Sequence, residues 1–250
     1  MKKTITLLGS SLLLGAGLAS AAVIADFAAE FPTSTLGAGQ PFSGSETKAA
    51  GWNYLWNPTG VIGTASAYQA LALNTVNTFP AAIGGGTSPM FTNIGNVAFN
   101  AVGQGNYQFG RVALTAFHPG KFVSGTDYRG IIAYTIQTGE AGTVSIANSS
   151  LAKYRIDGTG ANGVDLDIYV NDTLMGSFSK DGFQSLTASN FDGSLGNLSV
   201  GDTVYVTIGN NDNDVNDASV INFQLVSIPE PSAALLGGLG MLALLRRRRA

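Results

Sequence analysis

The stretch Val164-Asp165-Leu166-Asp167-Ile168 offers two carboxylates at a spacing that invites a reaction. On a β-strand, residues two apart share a face, with Cα atoms about 6.5 to 7 Å apart. That overlaps the carboxyl separation of about 5 to 9.5 Å used by glycosidases. Those carboxylates must, however, flank the scissile bond from opposite sides, whereas Asp165 and Asp167 project the same way. The spacing therefore predicts a solvated strand face, with weak cation binding as the alternative. Nucleophilic chemistry lacks its parts. The chain has no cysteine, no Gly-x-Ser-x-Gly and one histidine, so neither a thiolate nor a serine with its base can be assembled. His118 lies in Phe117-His118-Pro119-Gly120, where Pro-Gly marks a strand end, and is expected to bond backbone there. No enzyme is expected.

Binding chemistry has two candidates. Asn210 to Asp217 reads Asn-Asn-Asp-Asn-Asp-Val-Asn-Asp, the densest run of side-chain oxygen in the sequence. Hard cations such as Ca2+ take about six to eight oxygen ligands, and Asp212, Asp214 and Asp217 are the best placed to supply them. The run lacks the glycine and glutamate of an EF-hand loop, and Asn/Asp clusters are equally the chemistry of unliganded turns. The second candidate is Gly51-Trp52-Asn53-Tyr54-Leu55-Trp56. Trp52, Tyr54 and Trp56 alternate, so on a strand their rings line one face. Exposed, they make a stacking platform for glycan rings; buried, they are core. Burial is the expectation, because a large aromatic patch left in water needs a reason.

The elements that must position these residues are strands. From Ala22 onward, short period-two runs are separated by Gly, Asn and Asp clusters, and no stretch holds a helical period. In the clearest run Val164, Leu166, Ile168 and Val170 share a face predicted to be core, while Asp165, Asp167, Tyr169 and Asn171 share the face toward water. Asn171-Asp172 predicts a turn into Thr173 to Phe178, and Lys180-Asp181-Gly182 a second turn. Thr203 to Ile208 carries Val204, Val206 and Ile208 inward, and Ala218 to Val226 does the same with Ile221, Phe223 and Leu225. Earlier strands are expected over Trp52 to Trp56, Tyr68 to Leu73, Tyr107 to Phe117, Tyr128 to Ile136, Thr143 to Ala147 and Leu151 to Arg155. About ten strands at a spacing of about ten residues predict an all-β, antiparallel two-sheet sandwich, with a jelly roll the expected winding. Gly84-Gly85-Gly86 and Pro89 interrupt the rhythm, so 79–97 is expected to be a long loop within one domain.

Composition narrows the partners. Thirty-three glycines and 12 % charged residues fit a chain of many turns. The formal net charge of −3 is unevenly spread: setting aside Lys2, Lys3, the four arginines at 246–249 and Glu230 leaves seven basic and 15 acidic residues, a net −8. Such a body repels phosphate backbones, so no nucleic-acid partner is expected. Without cysteine there is also no disulfide framework and no thiolate zinc site.

The basic residues at the two ends have their own logic. Lys2 and Lys3 precede an apolar Thr4 to Leu18 and then Ala19-Ser20-Ala21. That is the order of a secretory signal peptide, and cleavage after Ala21 is expected to remove residues 1–21, an apolar helix before its removal. At the other end, Ala233 to Leu245 is apolar or Gly throughout. As a helix it measures about 20 Å, short of the ~30 Å hydrocarbon core. Arg246, Arg247, Arg248 and Arg249 follow directly; a block of this kind stays on the cytoplasmic side, and snorkelling extends its effective span. Pro229-Glu230-Pro231 keeps the junction extended, since each proline removes a donor and disfavours helix before it.

Pro-Glu-Pro, apolar helix and arginine cluster in this order resemble the PEP-CTERM sorting signal of exported bacterial proteins, over 229–250. The resemblance implies recognition by exosortase, a membrane-embedded cysteine transpeptidase-like enzyme, with loss of the helix and arginines and release or transfer to the cell surface. It also implies a Gram-negative bacterium that makes extracellular polysaccharide. The expected organisation is a signal peptide at 1–21, a β-sandwich body at 22–228 and a sorting signal with a short membrane helix at 229–250. The body is expected on the periplasmic side of the inner membrane, then at the cell surface or in the extracellular matrix. A non-enzymatic surface or matrix protein is the leading expectation, and a lectin-like carbohydrate-binding module, with or without Ca2+, is the alternative.

Overall fold

Period-two alternation becomes strand wherever it falls among the described residues. The computed structural model describes residues 21–31, 48–74, 90–92, 111–113, 122–123, 126–153, 163–181, 187–211 and 219–228. In chain order these hold β1 (Ala22–Asp26), the single-turn helix α1 (Phe27–Glu30), β2 (Trp52–Trp56), β3 (Gln69–Ala70), β4 (Ala72–Asn74), β5 (Met90–Thr92), β6 (Arg111–Ala113), β7 (Phe122–Val123) and β8 (Thr126–Asp127). There follow β9 (Gly130–Thr135), β10 (Gly142–Lys153), β11 (Gly163–Val170), β12 (Thr173–Asp181), β13 (Gly193–Leu198), β14 (Thr203–Gly209) and β15 (Ser219–Ile228). The body Ala21–Pro229 is one compact unit.

Two antiparallel sheets make a sandwich. The four-stranded sheet runs β1-β15-β10-β13 and the six-stranded sheet β12-β11-β14-β9-β2-β3, with small sheets β4-β5-β6 and β7-β8 beside them. Between the two large sheets Val164, Leu166 and Ile168 of β11 meet Val204, Val206 and Ile208 of β14 and Ile221, Phe223 and Leu225 of β15 in one apolar cluster. Fully burying a side chain of this size contributes about 1.5 to 3 kcal/mol. α1 plugs one side of this core. Asp26 caps it by accepting from the Ala29 N–H at 3.0 Å, and the Phe27 ring stacks on Phe223 at 5.5 Å, a ring pair favoured beyond its area alone.

The departures from expectation have local causes. Thr143 to Ala147 and the described part of Leu151 to Arg155, which ends at Lys153, are not two strands but parts of β10, whose pairing to β15 shifts between Ala147 and Ser150. Asn148 takes a left-handed φ of 50° there. Ser149 turns inward, donating from its N–H and Oγ to Asp192 Oδ1 at 2.8 and 2.5 Å. A bulge of this kind bends a strand without ending it. β13, Gly-Ser-Leu-Gly-Asn-Leu, carries too much glycine for its alternation to announce a strand, yet Leu195 and Leu198 are core. Tyr68 to Leu73 is broken into β3 and β4 on either side of Leu71. The long loop expected at 79–97 contains a strand, since Met90–Thr92 pairs with both β4 and β6.

Several expected features lie outside the described residues. They are 1–20 with Ala19, His118, the Asp212, Asp214 and Asp217 cluster, Pro229-Glu230-Pro231, and Arg246 to Arg249. Ala21 is described and exposed. No helix among the described residues is long and apolar enough to cross a membrane.

Candidate polar site on the outer face of the six-stranded sheet

β11 carries the site because its alternation is strict. Its even-numbered residues Val164, Leu166, Ile168 and Val170 are buried, as the pattern predicts, and Asp165, Asp167 and Tyr169 point out of the sandwich. Register then sets their neighbours. Asp165 lies across from Gly209, Asp167 from Thr207 and Tyr169 from Tyr205 on β14. On the far side of β14, Thr207 lies across from Ile131 of β9, so the residue just before β9 meets the same row. That residue is Arg129, only 7 % exposed.

The outer face is therefore not the solvated one expected from the sequence. Arg129 donates from Nε to Asp127 Oδ2 at 2.6 Å and from Nη1 to Asp167 Oδ2 at 2.8 Å, and Nη2 donates to Asp165 Oδ2. The side chains of Asp127, Asp165 and Asp167 retain 23, 26 and 18 % exposure, enough to see water but too little to be solvated on their own. Gly209 makes the arrangement possible. A Cβ there would stand 2.8 Å from Arg129 Cζ and Nε, so only a residue without a side chain lets the guanidinium cross β14 to Asp165.

Backbone holds the cluster from below. Buried Asn57 accepts from the Arg129 N–H at 2.6 Å and donates to the Asp127 carbonyl at 2.9 Å, fixing both residues next to β9. The Asn211 N–H donates to Asp165 Oδ1 at 3.1 Å. Burial works against the charge on Arg129, but Asp165, Asp127 and Asp167 outweigh it and hold the guanidinium above its ordinary range. It is a permanent cation facing three carboxylates, so the cluster carries a net negative charge.

Beside the ions lies a tyrosine ledge. The Tyr68 ring meets Tyr205 edge-on at 5.4 Å, and Tyr68 Oη accepts from the Gly63 N–H at 2.8 Å. Gly63, at φ +75°, lies against the Tyr169 ring, and Asp172 Oδ1 accepts from the Ala65 N–H at 2.7 Å. The segment around 61–68 is thus laid over this face. Burial raises the Tyr68, Tyr169 and Tyr205 phenols, with Asp167 adding to the effect at Tyr169, so all three stay neutral.

Chemically the cluster is an anchor. Asp165 and Asp167 accept from the same guanidinium on the same side, whereas a pair that cleaves a glycosidic bond flanks it. Trp52 and Tyr54 are 2 and 1 % exposed; the three alternating rings do line one face, and that face is core. Trp52 Nε1 donates to Glu30 Oε2 at 2.5 Å. Half-buried Trp56 packs on the core rim, 6.2 Å from the Tyr128 ring. The expected burial therefore holds for Trp52 and Tyr54, and the alternative of a glycan platform on these two rings does not. Among the described residues no group of three or more acidic or histidine side chains is arranged to hold a metal ion. Sequence reasoning missed Arg129, whose signal was its rarity, one of seven cations in the body and placed directly before the apolar run Ile131 to Tyr134.

No family model matches the sequence, and no curated protein matches it. Solved structures with some similarity include a family 51 carbohydrate-binding module from Clostridium perfringens, in complex with methyl-galactose. It has a TM-score of 0.30 at 7 % identity, over 47 % of this chain and 73 % of that one. A family 35 carbohydrate-binding module from Clostridium thermocellum has a TM-score of 0.28 at 16 % identity, over 40 % and 71 % of the two chains. An isomalto-dextranase from Arthrobacter globiformis has a TM-score of 0.27 at 16 % identity, covering 72 % of this chain and 24 % of its own. No residue of the site carries over from any of them.

Proposed function

We propose that this is an exported, non-enzymatic protein of the cell surface or extracellular matrix, in which a β-sandwich wound as a jelly roll is the working body. Residues 1–21 act as its signal peptide. Pro229-Glu230-Pro231, the apolar run and Arg246 to Arg249 act as a PEP-CTERM signal that holds the chain in the inner membrane until exosortase cuts it. The observation that supports a non-enzymatic body is the capture of Asp165 and Asp167 by Arg129: this carboxylate pair is committed to holding β9, β11 and β14 together.

Intact-mass analysis of the protein recovered from the outside of producing cells tests this reading. A species that begins at Ala22 and ends near Pro229 to Pro231 is the expected result. A full-length species in the cytosol contradicts it, and release of reducing ends from a polysaccharide by purified protein contradicts the non-enzymatic part.

Lectin-like binding is the second reading, favoured by the gathering of Tyr68, Tyr169 and Tyr205 on one face. Retention on a polysaccharide column that Tyr169→Ala abolishes, with the fold intact, would support it. If retention also needs Ca2+ and is lost in Asp212→Asn and Asp214→Asn, the 212–217 cluster is its metal site.

A further inference from the structure

Exposure rises in steps across the outer face of the six-stranded sheet. Pairing sets Ala133 of β9, Tyr205 of β14, Tyr169 of β11 and Leu174 of β12 in one row, and Ile131, Thr207, Asp167 and Ser177 in the next. In the first row Ala133 is buried, the two tyrosines are half-buried and Leu174 is 52 % exposed. In the second Ile131 and Thr207 are buried, Asp167 is half-buried and Ser177 is exposed. The segment around 61–68 lies over this face as far as β11, with the Tyr68 ring on Tyr205 and Gly63 against the Tyr169 ring. Beyond it, the outer sides of β11 and β12 form an open floor.

That floor joins apolar surface to hydrogen-bonding groups still open to a ligand. Leu174 is a large apolar side chain left in water directly across from Tyr169. Among the described residues Tyr169 Oη makes no hydrogen bond, and Asp167 bonds Arg129 through Oδ2 while its Oδ1 makes none. A sugar ring matches this mixture. Its C–H face covers Leu174 and the Tyr169 ring, and its hydroxyls donate to Asp167 Oδ1 and bond Tyr169 Oη and Ser177 Oγ. An acyl chain would cover the carboxylate without giving it a donor, which leaves a bond unmade.

Charge then chooses among glycans. Arg129 brings one positive charge to Asp127, Asp165 and Asp167, and Asp172 adds a further negative one in the β11–β12 turn. A uronate or sulfate on this floor lies next to Asp167, well inside the screening length of about 10 Å at 0.1 M salt, and is repelled. A hydroxyl is drawn in, because a charged acceptor makes the stronger hydrogen bond. We propose that the floor formed by Tyr169, Leu174, Asp167 and Ser177 binds a glycan chain free of acidic groups and rejects uronate polymers. The inference rests on the lectin-like reading and names the class of glycan that reading leaves open.

The test is bio-layer interferometry of the full chain on immobilised dextran, galactan, mannan and alginate, at about 0.1 M salt. At least one of the three neutral polymers is held at least about tenfold more tightly than alginate, the uronate polymer. Leu174→Ser weakens that retention by about tenfold, with an unchanged circular dichroism spectrum because the side chain is exposed. Ser177→Lys, which sets a cation across from Asp167, narrows the gap between alginate and the neutral polymers. Alginate held as tightly as the neutral polymers overturns the inference and leaves lectin-like binding standing, as does neutral retention indifferent to Leu174→Ser or a gap unchanged by Ser177→Lys. Retention on none of the four polymers overturns both.

Discussion

On its inner face β11 sets Val164, Leu166 and Ile168 at 0, 0 and 3 % exposure, against apolar side chains from both sheets. On its outer face Asp165 and Asp167 keep about a quarter and a fifth of their side-chain surface and lean on one guanidinium. Both faces are shielded, by interactions that fail differently. Inner contacts are numerous and non-directional, so a deletion costs in proportion to the volume removed. The outer face depends on a single cation; its loss leaves three carboxylates facing one another with reduced access to water. Identical backbone geometry thus supports a graded interaction on one side and a nearly all-or-none one on the other.

Truncation on the inner side should have the largest effect. Trp52→Ala removes a buried ring and leaves Glu30 without its donor, and unfolding in urea should show a loss of about 3 to 5 kcal/mol. Arg129→Ala should come next, at about 3 kcal/mol. Arg129→Lys should recover only part of it, because an ammonium cannot address three carboxylates in one plane. If Arg129→Ala were silent, the difference between the faces would disappear. Gly209→Ala sharpens the comparison, since it leaves every charge in place and crowds only the guanidinium and the Asp165 carboxylate beside it. Thermal unfolding should report a loss of about 1 to 3 kcal/mol.

The smallest effect lies at the end of the sheet. The Asp202 carboxyl is held below its ordinary 3.8 by the Ser199 N–H and the Asn171 side chain. A depressed folded value means its contribution is complete above about pH 4 and fades as pH falls through the folded value. Asp202→Asn should therefore lower stability slightly at neutral pH, change it least at low pH, and so flatten the acid limb of a stability–pH curve measured by urea unfolding.

Much of the fold was legible because β11, β14 and β15 alternate strictly, and strict alternation has one reading when one face must be core. Gly193 and Gly196 blurred β13, because glycine has no side chain to mark a face. The bulge at Ala147 to Ser150 split β10, because its cause, Asp192, lies far along the chain. At the site, the side of Asp165 and Asp167 was legible and their partner was not. Arg129 reaches them only because register places β9 two strands away and Gly209 clears the path between, and neither fact is local to the aspartates.

A double-mutant cycle on the unfolding free energy, pairing Arg129→Ala with Asp167→Ala, tests most directly whether the outer carboxylates serve structure. The account predicts that Asp167→Ala is costly in the parent and much less so once Arg129 is gone, with a coupling of at least about 1 kcal/mol. Effects that add to within about 0.5 kcal/mol would contradict it and return Asp165 and Asp167 to the list of groups free for chemistry.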